Sequence, residues 1–232
     1  DLGNPIVSDN KNNGSLRNLY LCGGKPINLT GALTTGADIG FTLEQRSTAI
    51  TSGFNTYHSG TDPATFFKTD NGFAFYIKNK EVYQINITEV NSSSQLVAAA
   101  KTNAIITMTA DIALVNTTKM IVSDKSEVTL DLNGHTLRRK DSSGDSNLIT
   151  IYGGSTLTIN DSSDNPDTPE YDGTGGITGG WSWDGGGIIV GGTLIFNSGT
   201  IRGCYGNKTG GGIFVYSGAK ATINGGIISG NS

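Results

Sequence analysis

Cysteine is almost missing. Cys22 and Cys204 are the only two in 232 residues, and neither has a CxxC partner or a nearby His. A zinc site, a thiol redox motif and a dense disulfide framework are therefore excluded, while one long-range disulfide stays open. Charge is also scarce, at 16% of residues with a net charge of −4, against the ordinary quarter of a soluble chain. A mildly acidic balance leaves no electrostatic footprint for nucleic acid or an anionic membrane. No apolar run approaches the roughly 18 residues that read as a membrane-spanning helix, so no membrane insertion is expected. The chain opens at Asp1 without a basic-then-apolar leader, so any signal peptide is expected to be absent or already removed.

Glycine is what the chain has in excess. It fills 34 of 232 positions, about twice the usual share. With Leu, Ala, Glu and Lys too thin for a helical bundle, this composition favours short strands cut by many tight turns, an all-β chain.

Repetition then sets the architecture. GGGIIVGGTLIFNSGTIRG begins at Gly185, and GGGIFVYSGAKATINGGIISG begins at Gly210. Each copy holds three short apolar segments separated by turns rich in Gly, Asn and Ser. Fainter copies precede them: LITIY, STLTIN and GGITGG from Leu148, Ser155 and Gly175, and KMIV, VTLDL and HTLRR from Lys119, Val128 and His135. Three strands per 22–30 residues or so is the arithmetic of a right-handed, single-stranded parallel β-helix, a solenoid with three strands per rung. Side chains alternate along each strand. Ile188/Val190, Leu194/Phe196 and Ile201 are therefore expected to stack under Ile213/Val215, Ala221/Ile223 and Ile228.

Four segments follow from this reading. Residues 1–43 carry short strands and coil-like turns, and read as closing rungs of a preceding coil. Residues 44–88 break the pattern and read as a junction containing a β-hairpin with Asn79-Lys80 at its turn. Residues 89–103 hold the one convincing helix, from Ser93 to Lys101, a short N-terminal cap over the open end of the stacked core. Residues 104–232 form the parallel β-helix, whose truncated C-terminal end stops in mid-repeat. The bare last rung and the N-terminal rungs of a second molecule predict head-to-tail self-association.

The runs GGG-[IV]-[IF]-V and NGG-x-I-S-GN, together with VTLDLNGHTL and LTINDSS, resemble repeats of large adhesin-like surface proteins in the pectin-lyase-like β-helix superfamily. NLYLCGGKPINLTGALTTGADIGFT is similar to the closing rungs of such coils. The resemblance covers most of the chain. It implies a secreted protein of the bacterial cell surface, of the Gram-positive gut type, and no reaction.

Enzymes of that superfamily need clustered carboxylates beside a basic group, or paired acids. The closest grouping here is Asp131 with His135, Arg138, Arg139, Lys140 and Asp141. Asp131 to Gly134 reads instead as a strand-and-corner signature, and the basic run as a solvated corner. No catalytic residue is assigned, and a polysaccharide lyase or glycoside hydrolase on the same scaffold is the alternative.

Two features suit binding. The corner after LTIN expands to DSSDNPDTPEYDGTG, where Asp161, Asp164, Asp167 and Glu170 form a candidate calcium set without EF-hand spacing; no other cofactor is expected. Next comes GGWSWDGGG, with Trp181 and Trp183 on one face if extended. Tyr171, Asp172, Trp181, Trp183 and Asp184 form a candidate glycan site, since exposed aromatics stack on sugar rings and carboxylates accept from their hydroxyls. The expected partners are host or microbial glycans or surface proteins, presented to by a stiff, non-catalytic stalk.

Overall fold

The computed structural model describes residues 6–7, 11–12, 15–16, 19–22, 25–43, 49–69, 74–141, 146–165 and 172–232. The chain is mostly β, with parallel multi-strand sheets. It divides into two compact units, Asp1–Asn86 and Ile87–Ser232.

In the first unit the strand Asp38–Leu43 is the hub. It pairs in parallel with Ile6–Val7, Tyr20–Leu21 and Phe67–Thr69. Phe41, Ile50, Phe54, Phe67 and Val82 are buried together. Ile50, Phe54, Phe67 and Val82 therefore share one core with Leu21, Ile39 and Phe41. The hairpin joins Ala74–Lys78 to Glu81–Val90 through Asn79 at φ 50° and Lys80 at φ 70°. Paired left-handed residues are the geometry that matches strand twist in a two-residue turn.

This unit also holds a helix beyond the one read from the sequence, Phe54–His58. Its first N–H groups have no partner within the helix. Glu81 supplies one from far along the chain: its carboxylate accepts from the Gly53 N–H at 2.7 Å and the Phe54 N–H at 3.1 Å. Local sequence has no such cap, which is why the helix was not legible there.

In the second unit the chain visits three parallel sheets in a fixed rotation. Sheet A contains Ala104–Met108, Glu127–Asp131, Thr156–Asn160, Thr193–Phe196 and Lys220–Ile223. Sheet B contains Ile112–Leu114, Thr136–Arg139, Gly176–Thr178, Thr200–Arg202 and Ile227–Ser229. Sheet C contains Met120–Val122, Ile149–Ile151, Ile188–Val190 and Ile213–Val215. The expected stacking appears as strand register: Ile188 faces Ile213, Val190 faces Val215, Leu194 faces Ala221, Phe196 faces Ile223 and Ile201 faces Ile228.

One apolar residue in two points inward, so Ile106, Met108, Leu130, Leu157, Ile159 and Leu194 all lie in one core. Burying each such side chain stabilises the fold by about 1.5–3 kcal/mol. The helix Ser93–Ala99 packs against the first strand of all three sheets. Leu96 and Ala100 are buried by that contact. At the corner leaving sheet A, Asn197 Nδ2 donates to Asn160 Oδ1 and Asn224 Nδ2 donates to Asn197 Oδ1, each at 2.8 Å. Amide side chains stacked this way satisfy one another where the backbone bends. Close approach dictates glycine before sheet C: a Cβ on Gly187 would strike the carbonyl oxygen of Gly212.

Candidate functional site

Between sheets B and C, two successive turns of the chain carry an extra pair of parallel strands, Trp181–Asp184 and Tyr205–Thr209. Ser182 points inward and is buried, while Trp183 on the opposite face is 51% exposed. Alternation along the strand puts both tryptophans on the outer side. The register sets Trp181 against Tyr205, and the two rings stack with centroids 6.1 Å apart and planes 8° from parallel. A register shift follows between Ser182 and Asp184. Past it, Lys208 Nζ sits 5.4 Å from the Trp183 ring centroid, within cation–π reach. Thr209 Oγ1 donates to Asp184 Oδ1 at 2.8 Å.

The sequence-derived set is thus partly assembled and partly dispersed. Trp181, Trp183 and Asp184 share one strand. Asp172 belongs to the base of the long corner, where its N–H donates to Asp164 Oδ1 at 3.0 Å and its own Oδ1 accepts from the Asn165 N–H at 2.9 Å. Tyr171 lies outside the described residues. Tyr205, Lys208 and Thr209 join the site although the sequence reading omitted them. YGNKT is polar, so it reads as a loop; only its pairing with WSWD reveals it as a strand.

Asp161 and Asp164 are the described members of the acidic set; Asp167 and Glu170 lie outside the described residues. Asp161 is buried, with its carboxylate taking the N–H groups of Gly134 and Gly175 at 2.7 Å each and the Ser163 hydroxyl at 2.9 Å. Those donors do what a cation would do, satisfying the charge with fixed dipoles. Asp161 therefore pins both ends of the long loop. Among the described residues, no group of three or more His, Cys, Asp or Glu side chains converges.

The grouping around Asp131 is also committed to structure. Asp131 Oδ1 accepts from the N–H groups of Asn133 and Ser162, both at 2.9 Å. Arg139 is not part of a solvated corner: strand alternation exposes Arg138 and buries Arg139. The buried guanidinium donates to the carbonyls of Asn116, Thr118, Ser146 and Asn147 at 2.6–3.1 Å. Burial lowers its pKa and the nearby Asp141 carboxylate opposes that shift. Cys204 is a buried free thiol whose pKa burial pushes up, which makes it an unreactive core residue.

No family model matches the chain, and neither a curated protein nor a solved structure matches it.

Proposed function

We propose that residues 104–232 form a right-handed parallel β-helix that serves as a non-catalytic module of a secreted, bacterial cell-surface protein of adhesin-like type. The rotation of the chain through three parallel sheets supports the coil, and a right-handed crossover is the hand that twisted strands favour. Its task is to hold a binding corner rigidly. The carboxylates nearest a catalytic pattern, Asp131 and Asp141, accept from backbone N–H groups, which favours a binding module over a lyase or hydrolase.

The observation that carries the reading is the extra strand pair at one corner, with Trp181 stacked on Tyr205 and Trp183 exposed beneath Lys208. An open indole with polar neighbours fits the apolar face and hydroxyl rim of a sugar ring. The ligand is a host or microbial glycan, carried free or on a surface protein. A glycan array tests this: wild-type protein binds a defined glycan set, and folded Trp183→Ala loses it. An array on which wild type binds nothing contradicts the reading.

A further inference from the structure

At the corner between sheets C and A, the residues that follow Ile151, Val190 and Val215 hold one position on three successive turns of the chain. They are Tyr152, Gly191 and Tyr216. Each N–H donates to the turn before it: Tyr152 to Val122 O at 2.9 Å, Gly191 to Ile151 O at 2.7 Å and Tyr216 to Val190 O at 2.9 Å. The two tyrosines are 54% and 50% exposed, and the residue between them has no side chain. The backbone dictates that omission. A Cβ on Gly191 would crowd Ile151 O at 3.0 Å, and one on Gly192 would strike the carbonyl oxygens of Ser155 and Tyr152. The corner is therefore a notch with a tyrosine on either side and a floor of two glycines.

One wall is braced, and the polar ends of both are free. Tyr216 meets Phe214 edge-on, with ring centroids 4.9 Å apart and planes at 79°. Among the described residues, neither phenol oxygen has a protein hydrogen-bond partner. Lys125 lies one turn before Tyr152. It is exposed, and its stem runs so close to Gly154 that a Cβ there would meet Lys125 Cγ at 3.2 Å. Among the described residues it has no carboxylate partner. The adjacent Asp124 carboxylate takes the Ser123 hydroxyl at 2.9 Å.

We propose that this notch docks a proline-rich segment of a partner protein, in polyproline II conformation, running across successive turns with an acidic residue at its Tyr152 end. Neighbouring parallel strands lie about 4.8 Å apart, so tyrosines two turns apart repeat at about 9.6 Å. A polyproline II helix rises about 3.1 Å per residue with three residues per turn, so every third proline repeats at about 9.3 Å. Two such prolines meet Tyr152 and Tyr216 together, and the residues between them cross Gly191. A strand presents same-face side chains every ~6.8 Å and a helix every ~5–6 Å, so neither seats neighbouring contacts on both rings. The carbonyls of a polyproline II segment have no internal partner, and the free phenols donate to them. Lys125 supplies the charge complement, within reach of an acid one or two residues beyond the proline on Tyr152. Aromatic-lined grooves of this kind recognise such segments because the ligand is already ordered. The notch uses none of the residues of the tryptophan corner, so the two stand or fall separately.

The test is an amide-shift titration of the isotope-labelled full chain with four probes. They are acetyl-Glu-Pro-Pro-Ala-Pro-Pro-amide, the same peptide with Gln for Glu, a Gly-Ser peptide of equal length, and cellopentaose. The proline peptides shift the amides of Gly191, Gly192 and Ser217, and the Gly-Ser peptide leaves them in place. Tyr152→Ala and Tyr216→Ala, at half-exposed positions, keep the wild-type melt and each weaken the peptide at least about tenfold, as loss of an aromatic anchor does. Lys125→Gln erases a roughly two- to fivefold preference for the Glu peptide over its Gln form, the effect of one exposed ion pair. Silence of these amides with the proline peptides overturns the proposal. So do equal shifts from the Gly-Ser peptide, cellopentaose shifting them in the peptides' place, a folded alanine variant that binds like wild type, or a Glu preference that survives Lys125→Gln.

Discussion

Trp181 and Tyr205 lie on neighbouring parallel strands with their rings 6.1 Å apart and 8° from parallel. The stack joins two successive turns of the chain outside the core, where two short strands and the backbone bridge between Ser146 and Trp181 hold the corner. Aromatic pairs of this kind contribute about 0.5–1.5 kcal/mol beyond their buried area. Tyr205→Ala is expected to lower stability by about that amount and to loosen the corner. Hydrogen exchange reads it: amides of residues 181–184 exchange faster, while those of sheet A are unchanged. Tyr205→Phe keeps the stack and the protection.

His58 makes the first unit sensitive to acid. It packs between Phe54 and Phe66, with ring centroids 5.3 and 4.5 Å away, and its Nε2 accepts from the Leu33 N–H at 2.9 Å. Burial lowers its pKa below the ordinary 6.5. The folded state therefore favours neutral imidazole, and the unfolded state takes up the proton first. Stability from this residue is complete above the unfolded value of about 6.5 and falls as pH drops through it. Leu33 amide protection should fall between about pH 7 and pH 5. His58→Phe costs stability at neutral pH, by about 1–3 kcal/mol for the unpaired Leu33 N–H, but flattens the pH dependence. Protection that is constant with pH in the wild type contradicts this.

Arg139 ties together two consecutive crossings from sheet B to sheet C through four carbonyls. Arg139→Met leaves those acceptors buried without donors, so it should cost about 3 kcal/mol or more. Lysine cannot reproduce the planar fork, so Arg139→Lys recovers little of the loss. The exposed Arg138→Met is expected to be neutral. Thermal melts of the three variants decide the order.

These two charged positions show how much was legible in advance. The inward residues Ile188, Leu194, Phe196 and Ile201 could be aligned from the repeat because each unit preserves strand period and length; their partners are Ile213, Ala221, Ile223 and Ile228. The Asn79-Lys80 turn and the Ser93 helix follow from local rules. Arg139 did not stand out, because a basic run looks solvated until the TLRR strand is placed and its alternation turns one arginine inward. Glu81 as a helix cap and Tyr205 as a stacking partner depend on contacts made across 27 and 24 positions in sequence. No local pattern encodes either. The acidic loop misled for a related reason: a carboxylate count does not distinguish oxygens aimed at a cation from oxygens that hold backbone N–H groups, as Asp161 does.

The central claim is that the tryptophan corner binds glycan. Its most direct measurement is a titration of the strongest array ligand against wild type and Trp183→Ala, with circular dichroism confirming that both are folded. Trp183 is half exposed and contributes little to the core, so its truncation should leave the melt unchanged. The account predicts at least about a tenfold loss of affinity, the effect of one sugar–indole stack. Equal affinity of the two folded proteins would contradict it.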